Sequence, residues 1–112
     1  VGRAMVGQFG DAELRERLKS APLQALTPQT VTDPWRLVAM IAADRDNGYS
    51  LVDREAEPHF RSISVPVRRY DDVIVAAINI GSHVDRISVD EMTARFLPLL
   101  QHAAASVRSQ LL

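Results

Sequence analysis

The chain has no cysteine, which excludes a disulfide frame, a thiolate zinc site and a thiol nucleophile, and fits a reducing compartment. It also lacks a surplus of either charge: 13 basic and 14 acidic residues leave a formal net charge of −1. Nucleic-acid domains gather a basic excess on one face, so direct contact with DNA or anionic lipid has no electrostatic basis here. No apolar run approaches the length of a membrane span, and the residues from Val1 onward lack the basic, apolar, small-residue order of a secretion signal. A cytoplasmic chain without membrane association is the expectation.

The motifs of common chemistries are missing too. Gly2, Gly7 and Gly10 do not make the G-x-G-x-x-G or P-loop spacing that cradles phosphate. Ser62, Ser64 and Ser82 sit in no G-x-S-x-G turn, and no histidine–acid pair is placed to activate them. The three histidines, His59, His83 and His102, never fall at the i, i+3 or i, i+4 spacing that sets two metal ligands on one helical face. Asp53, Glu55, Glu57, Asp71 and Asp72 fall in predicted loops, where solvated surface charge is the simpler role. Neither catalytic residues nor a metal or cofactor site is expected.

What is present suits one folded domain. At 112 residues, with 46% hydrophobic and 24% charged residues, the chain can bury one sizeable core but not two independent ones. Val1 to Phe9 begins abruptly, as if continuing from other sequence. Gly10-Asp11 offers an N-cap for a helix over 12–20, with Leu14 and Leu18 one turn apart and Pro22 as its stop. A loop passes through Thr27-Pro28. Asp33-Pro34 then supplies a capping acceptor and a proline at the first helical position, and Asn47-Gly48 the left-handed stop. Val38, Ile41, Ala42 and Arg45 recur at helical spacing between them.

The pattern then changes to period two. A short strand is predicted over 49–53. In Arg61 to Val67, Ile63, Val65 and Val67 alternate with Ser62, Ser64 and Pro66; in Val73 to Ile80, Ile74, Ala76, Ile78 and Ile80 alternate with Val75, Ala77 and Asn79. A hairpin closed near Tyr70-Asp71-Asp72 joins them, with a bulge or an edge expected at Pro66, which cannot donate to a ladder. Ser88 and Glu91 have capping-box spacing, flanked by Ile87 and Met92 as a staple. The last helix follows, with one buried stripe of Met92, Phe96, Leu99, Leu100, Ala103, Val107 and Leu111 and a kink at Pro98. One hairpin face is thus aliphatic. The other, carrying Ser62, Ser64, Ala77 and Asn79 and continued by Gly81 and Ser82, is small and polar. Pattern alone leaves two readings of it: an exposed sheet face, or a concave pocket for a small polar ligand.

In their order and spacing, Val1-Gly2-Arg3-Ala4, Leu26-Thr27-Pro28 through Thr32-Asp33-Pro34, Gly48-Tyr49-Ser50, Phe60-Arg61-Ser62-Ile63-Ser64-Val65-Pro66-Val67 and Ala76-Ala77-Ile78-Asn79-Ile80 resemble the effector-binding domain of IclR-family transcription regulators. The resemblance covers nearly the whole chain. Asn79-Ile80-Gly81-Ser82-His83 and Arg95-Phe96-Leu97-Pro98 are similar to the branch controlling protocatechuate, 4-hydroxybenzoate and β-ketoadipate catabolism. The resemblance implies a GAF-like α/β (α+β) fold, a curved antiparallel sheet with flanking helices. It implies ligand-binding residues Val1, Gly2, Val52, Phe60, Ser62, Asn79 and Gly81, with free N–H groups at the helix start by Gly2 favouring an anion. Val52 stands where some relatives have an acid and Gly81 where some have a hydroxyl. Both changes make the site less polar and better suited to an aromatic acid than to a two-carbon one.

The implied partners are a small organic acid effector, a second copy of the chain in a dimer or tetramer, and DNA reached only through a winged helix-turn-helix domain that this sequence does not contain. The strands that precede the Gly2 helix in relatives are not in the sequence either. The chain is therefore expected to be the N-terminally truncated part of a sensor domain, with a sheet edge open to pairing. A GAF-like enzyme or metal-dependent module, and a purely structural oligomerisation domain, are the alternatives that fold alone leaves open.

Overall fold

A computed structural model describes residues 2–20 and 23–111; Val1 and the helix stop expected at Pro22 lie outside the described residues. The elements are α1 (Gly2–Val6), α2 (Asp11–Lys19), α3 (Pro34–Asn47), β1 (Ser50–Asp53), β2 (Phe60–Arg68), β3 (Ile74–His83) and α4 (Val89–Gln110). The strands form one antiparallel sheet in the order β1-β2-β3, so β2 is central. The expected α+β class with helices flanking an antiparallel sheet is what forms.

The helix ends follow local chemistry. Asp33 accepts from the Trp35 N–H at 3.1 Å, Pro34 occupies the first helical position, and Gly48 closes α3 at φ 81° with its N–H on the Asp44 carbonyl at 2.8 Å. At α2 the expectation shifts by one residue. Gly10 is the cap, without a side-chain bond, and Asp11 is already helical, where its charge still favours the first turn. Ser88 caps α4, accepting from the Glu91 N–H at 3.1 Å, while its hydroxyl meets Glu91 Oε1 at 3.2 Å. α4 then runs through Pro98 as one helix of 22 residues.

Period-two alternation sorts the sheet. Ile63 and Val65 on β2, with Ile78 and Ile80 of β3 beside them, pack on Ile87 and on Met92, Phe96, Leu97, Leu100 and Ala104 of α4. Fully burying side chains of this kind contributes about 1.5–3 kcal/mol each, enough to fix which face of β2 meets the helix. A second cluster, centred on Leu14, Val38 and Ile41, joins α2 to α3 and includes Val6 and Phe9.

Two expectations of burial change. Leu99 is 63% exposed and Val107 42% exposed, so the buried stripe of α4 is narrower than its apolar spacing suggests. Val107 lies past Leu100 and Ala104, the last α4 residues packed on the core, while Leu99 turns to the side of the stripe that Phe96 and Leu100 form. On β3, Val67 pairs with Ala76 but Arg68 with Ile74, which leaves Val75 as an extra residue. This bulge reverses the alternation: Ile74 turns away from α4 and instead lines a small cavity with Arg3, Ala4, Gly7 and Pro66.

The irregularity therefore lies beside Pro66 and on the partner strand. Pro66 itself is accommodated by an edge. The Phe60 carbonyl accepts from the Arg54 N–H on the β1 side, and alternation from there directs residue 66 the same way. β1 ends opposite Ser64, so no ladder bond is lost at Pro66.

Candidate functional site

The polar face is assembled by strand register. Val52 lies opposite Ser62 and Ser62 opposite Gly81, forming one row across all three strands. The next row is Ser50, Ser64 and Asn79, and at the strand ends Phe60 lies opposite His83. Five of the seven expected site residues, Val52, Phe60, Ser62, Asn79 and Gly81, thus share one face of one sheet. Gly2 opens α1, which lies over the same face further along: Arg3, Ala4 and Gly7 of that segment meet Ser50 and Pro66 around a cavity of about 20 Å³. Val1 is outside the described residues. At five residues, α1 accumulates little dipole at its start.

Depth varies across the face. Ser50 and Ser64 are each 1% exposed, Val52 and Ser62 are half-buried, Asn79 and Gly81 are exposed, and Phe60 is 50% exposed. Of the two readings left by the pattern, the described residues form the open face and do not enclose a hollow over Ser62 and Asn79. A broad depression of about 650 Å³ at the strand ends is lined by Phe60, Gly81, Ser82, His83, Asp85 and Arg86. A side chain at position 81 would stand 3.9 Å from Ser62 Cβ, so glycine there keeps the space beside the hydroxyl clear.

Among the described residues no formal charge points from the strands onto this face in the rows from Phe60 to Ser64; Arg68 stands further along, beside Pro66 and Ile74. The donors in those rows are hydroxyls and an amide, which recognise an anion without the desolvation cost of a buried cation. Ser64 Oγ donates to Asn79 Oδ1 at 2.8 Å. Ser64 was not among the expected site residues: a hairpin centred on Tyr70-Asp71-Asp72 places residue 64 opposite 78, and only the bulge at Val75 brings it opposite 79. Ser50 Oγ is buried and finds no protein hydrogen-bond partner among the described residues.

Charged groups frame the face instead. Arg3 donates from Nε to Asp44 Oδ2 at 2.6 Å, from Nη1 to both oxygens of Glu55 at 2.9 and 3.1 Å, and from Nη2 to the Leu51 carbonyl. Thr27 and Thr30 donate to the carbonyls of Arg54 and Glu55 and stitch down the segment between β1 and β2. Asp53 pairs with Arg61 at 3.1 Å, and Arg61 also reaches the Ile87 carbonyl at 2.8 Å. Of the carboxylates expected as solvated loop charge, Asp53 is held by Arg61 and Arg54 and Glu55 by Arg3, while Asp71 and Asp72 stay exposed beside Arg69 and Arg108. Strand pairing also brings His59 and His83 into a parallel stack at 5.8 Å, a meeting that sequence spacing could not reveal. Among the described residues no group of three potential ligands gathers for a metal.

A helix-backed antiparallel sheet whose second face presents neutral hydrogen-bonding groups within a frame of ion pairs defines an α+β recognition domain. The family described as bacterial transcriptional regulator IclR C-terminal matches residues 1–109, and the chain belongs to that family. It is similar to the Pca regulon regulatory protein of Pseudomonas putida, 39% identical over 99% of this chain and 38% of the relative. The p-hydroxybenzoate hydroxylase transcriptional activator of Acinetobacter baylyi is 31% identical over 84% of this chain and 35% of its own length. The inducer-binding domain of the PobR transcription factor from Acinetobacter, a double mutant solved with 3-hydroxybenzoic acid, superimposes with a TM-score of 0.92 at 28% identity, covering 96% of this chain and 61% of that one. These relatives are regulators of transcription rather than enzymes, and the family is a regulatory one. The chain spans less than half the length of the curated relatives it matches. No helix among the described residues is long and apolar enough to cross a membrane.

Proposed function

We propose that this chain is the effector-sensing part of a cytoplasmic IclR-type regulator, and that it binds a small carboxylate, an aromatic or keto acid, on the polar face of the sheet. The ligand-binding residues are Val1, Gly2, Val52, Phe60, Ser62, Asn79 and Gly81. The supporting observation is the shared face on which Val52, Ser62, Asn79 and Gly81 stand in adjacent rows, with hydrogen-bond donors but no opposing carboxylate. Ser62 and Asn79 donate to the acid, while Phe60 and Val52 supply apolar contact to a ring. The relative solved with 3-hydroxybenzoic acid and the 39%-identical Pca regulon regulator support the aromatic-acid class. Effector binding shifts the balance between arrangements of a homo-oligomer, dimer or tetramer, and so the operator affinity of a DNA-binding domain outside this chain.

Calorimetric titration with 3-hydroxybenzoate, 4-hydroxybenzoate, protocatechuate and β-ketoadipate tests this reading. Saturable binding of at least one acid without product formation is expected. Asn79→Leu removes one hydrogen bond to a charged group, about 1.5–3 kcal/mol, and so weakens binding roughly 10- to 150-fold with the fold retained by circular dichroism. Turnover of any of these acids, or full affinity in Asn79→Leu, refutes the proposal.

A further inference from the structure

We infer that Ser64 is a specificity-determining residue: it fixes the side-chain amide of Asn79 so that only a hydrogen-bond acceptor on the ligand is accommodated there. This rests on the proposed sensing role of the polar face. Ser64 stands on the central strand directly opposite Asn79, and its Oγ lies 2.8 Å from Asn79 Oδ1. A serine hydroxyl has one proton to donate. At 1% exposure that proton has no solvent to turn to, and the Asn79 carbonyl oxygen is its one side-chain partner among the described residues. Flipping the amide would present N–H to Ser64 and strand the buried hydroxyl proton, which costs more than leaving spare acceptor capacity on the oxygen.

The amide is planar, so turning its oxygen down onto Ser64 turns its two N–H donors away from the hydroxyl. Asn79 is exposed, and those donors are available on the ligand side. Ser62 differs: it is half-buried and makes no side-chain hydrogen bond among the described residues, so its hydroxyl can rotate to either role. The discrimination therefore falls on Asn79. A carboxylate or carbonyl oxygen satisfies its N–H groups, whereas an amide nitrogen at the same place opposes donor to donor.

The test compares 3-hydroxybenzoate with 3-hydroxybenzamide, which differ in one acceptor oxygen exchanged for an NH2 donor and in one negative charge, so the change in preference between variants, rather than its size in any one, is the readout. The unaltered protein should prefer the acid by tenfold or more. In Ser64→Ala the amide is free to rotate, and the preference should fall to within about threefold while both compounds still bind; Ser64→Thr, which keeps the hydroxyl, should restore it. Asn79→Asp checks the same point at an exposed position where folding is not at stake. Its carboxylate still accepts from Ser64 but offers no N–H and sets a negative charge against the acid, so the preference should reverse towards the amide. An unchanged acid preference in Ser64→Ala, or a retained one in Asn79→Asp, overturns the inference while leaving the sensing role intact. Failure of the unaltered protein to bind any aromatic acid overturns the sensing role, and this inference with it.

Discussion

Arg3 touches three segments at once, and its replacement by alanine puts a number on what frames the polar face. Its side chain is 10% exposed, and the two carboxylates it holds are nearly as secluded, Asp44 at 17% and Glu55 at 19%. Four side-chain contacts tie α1 to α3, to the Leu51 carbonyl on β1 and to the segment that leads into β2. In Arg3→Ala the two carboxylates and the carbonyl face one another without a cation. Removing one partner of a buried pair costs about 3–5 kcal/mol, because the survivors are left desolvated and unpaired. Partial access of solvent to Asp44 and Glu55 places this case at the lower end, about 3 kcal/mol. With the urea dependence usual for a small domain, that lowers the unfolding midpoint by about 1–3 M. Urea unfolding followed by far-UV circular dichroism measures it. A double-mutant cycle with Glu55→Gln should show coupling of about 1–3 kcal/mol between the two positions. A loss below about 1 kcal/mol in Arg3→Ala would refute the reasoning, since the cluster would then be no better than a solvent-exposed pair.

Ser50→Ala should be neutral or stabilising by up to about 1 kcal/mol, because it removes a buried hydroxyl that no protein group among the described residues satisfies. A clear destabilisation in thermal unfolding would instead show that the hydroxyl is satisfied through the adjoining cavity. At the hairpin tip, the side-chain hydrogen bond from Arg69, assisted by the Val73 N–H and the charge of Arg69, holds the Asp71 carboxyl at about 2, below the usual 3.8. The folded value is the lower one, so the stability this bond contributes is complete above pH 3.8 and is lost as pH falls through about 2. In Arg69→Gln the titration of Asp71, followed by carboxyl NMR shifts, should move up towards 3.8; a midpoint that stays near 2 would disprove the role of Arg69.

What could be read from the sequence is what the chain decides locally. Asp33-Pro34 and Asn47-Gly48 bound α3 at the positions expected, because a cap and a left-handed stop are satisfied within a few residues of themselves. The alternation of β2 was equally legible, since burial of Ile63 and Val65 on one side is a property of the strand. The face of Ile74 was not. It depends on a bulge at Val75, which exists only in relation to the partner strand. Leu99 and Val107 failed for a similar reason: apolar spacing says which side of a helix could be buried, not how wide or how long the surface opposite it is. The ion pairs of Arg3 span 41 and 52 positions, and charge alone carries no address at that distance. The polar face was visible as composition; the Ser64–Asn79 bond needed the register that the bulge at Val75 sets, which the hairpin centre does not imply.

The register that buries the core is also what aims the site. Side chains alternate with period two, so a slip of one residue between β2 and its neighbours would turn Ser62 and Ser64 onto α4 and push Ile63 and Val65 out onto the polar face. Such a slip would bury unsatisfied hydroxyls and expose two aliphatic side chains that are now at most 2% accessible. The aliphatic face thereby holds Val52, Ser62 and Gly81 in one row, and Ser64 against Asn79, more firmly than those small polar groups could hold themselves. The one irregularity in the hairpin confirms the division. The bulge at Val75 falls between the turn and Ala76, so it redirects Ile74 beneath α1 while the pairing from Ala76 to His83 stays in step. Substitutions on the α4 side should therefore change stability and site geometry together, whereas those at the half-buried Ser62, which makes no side-chain hydrogen bond among the described residues, change recognition alone.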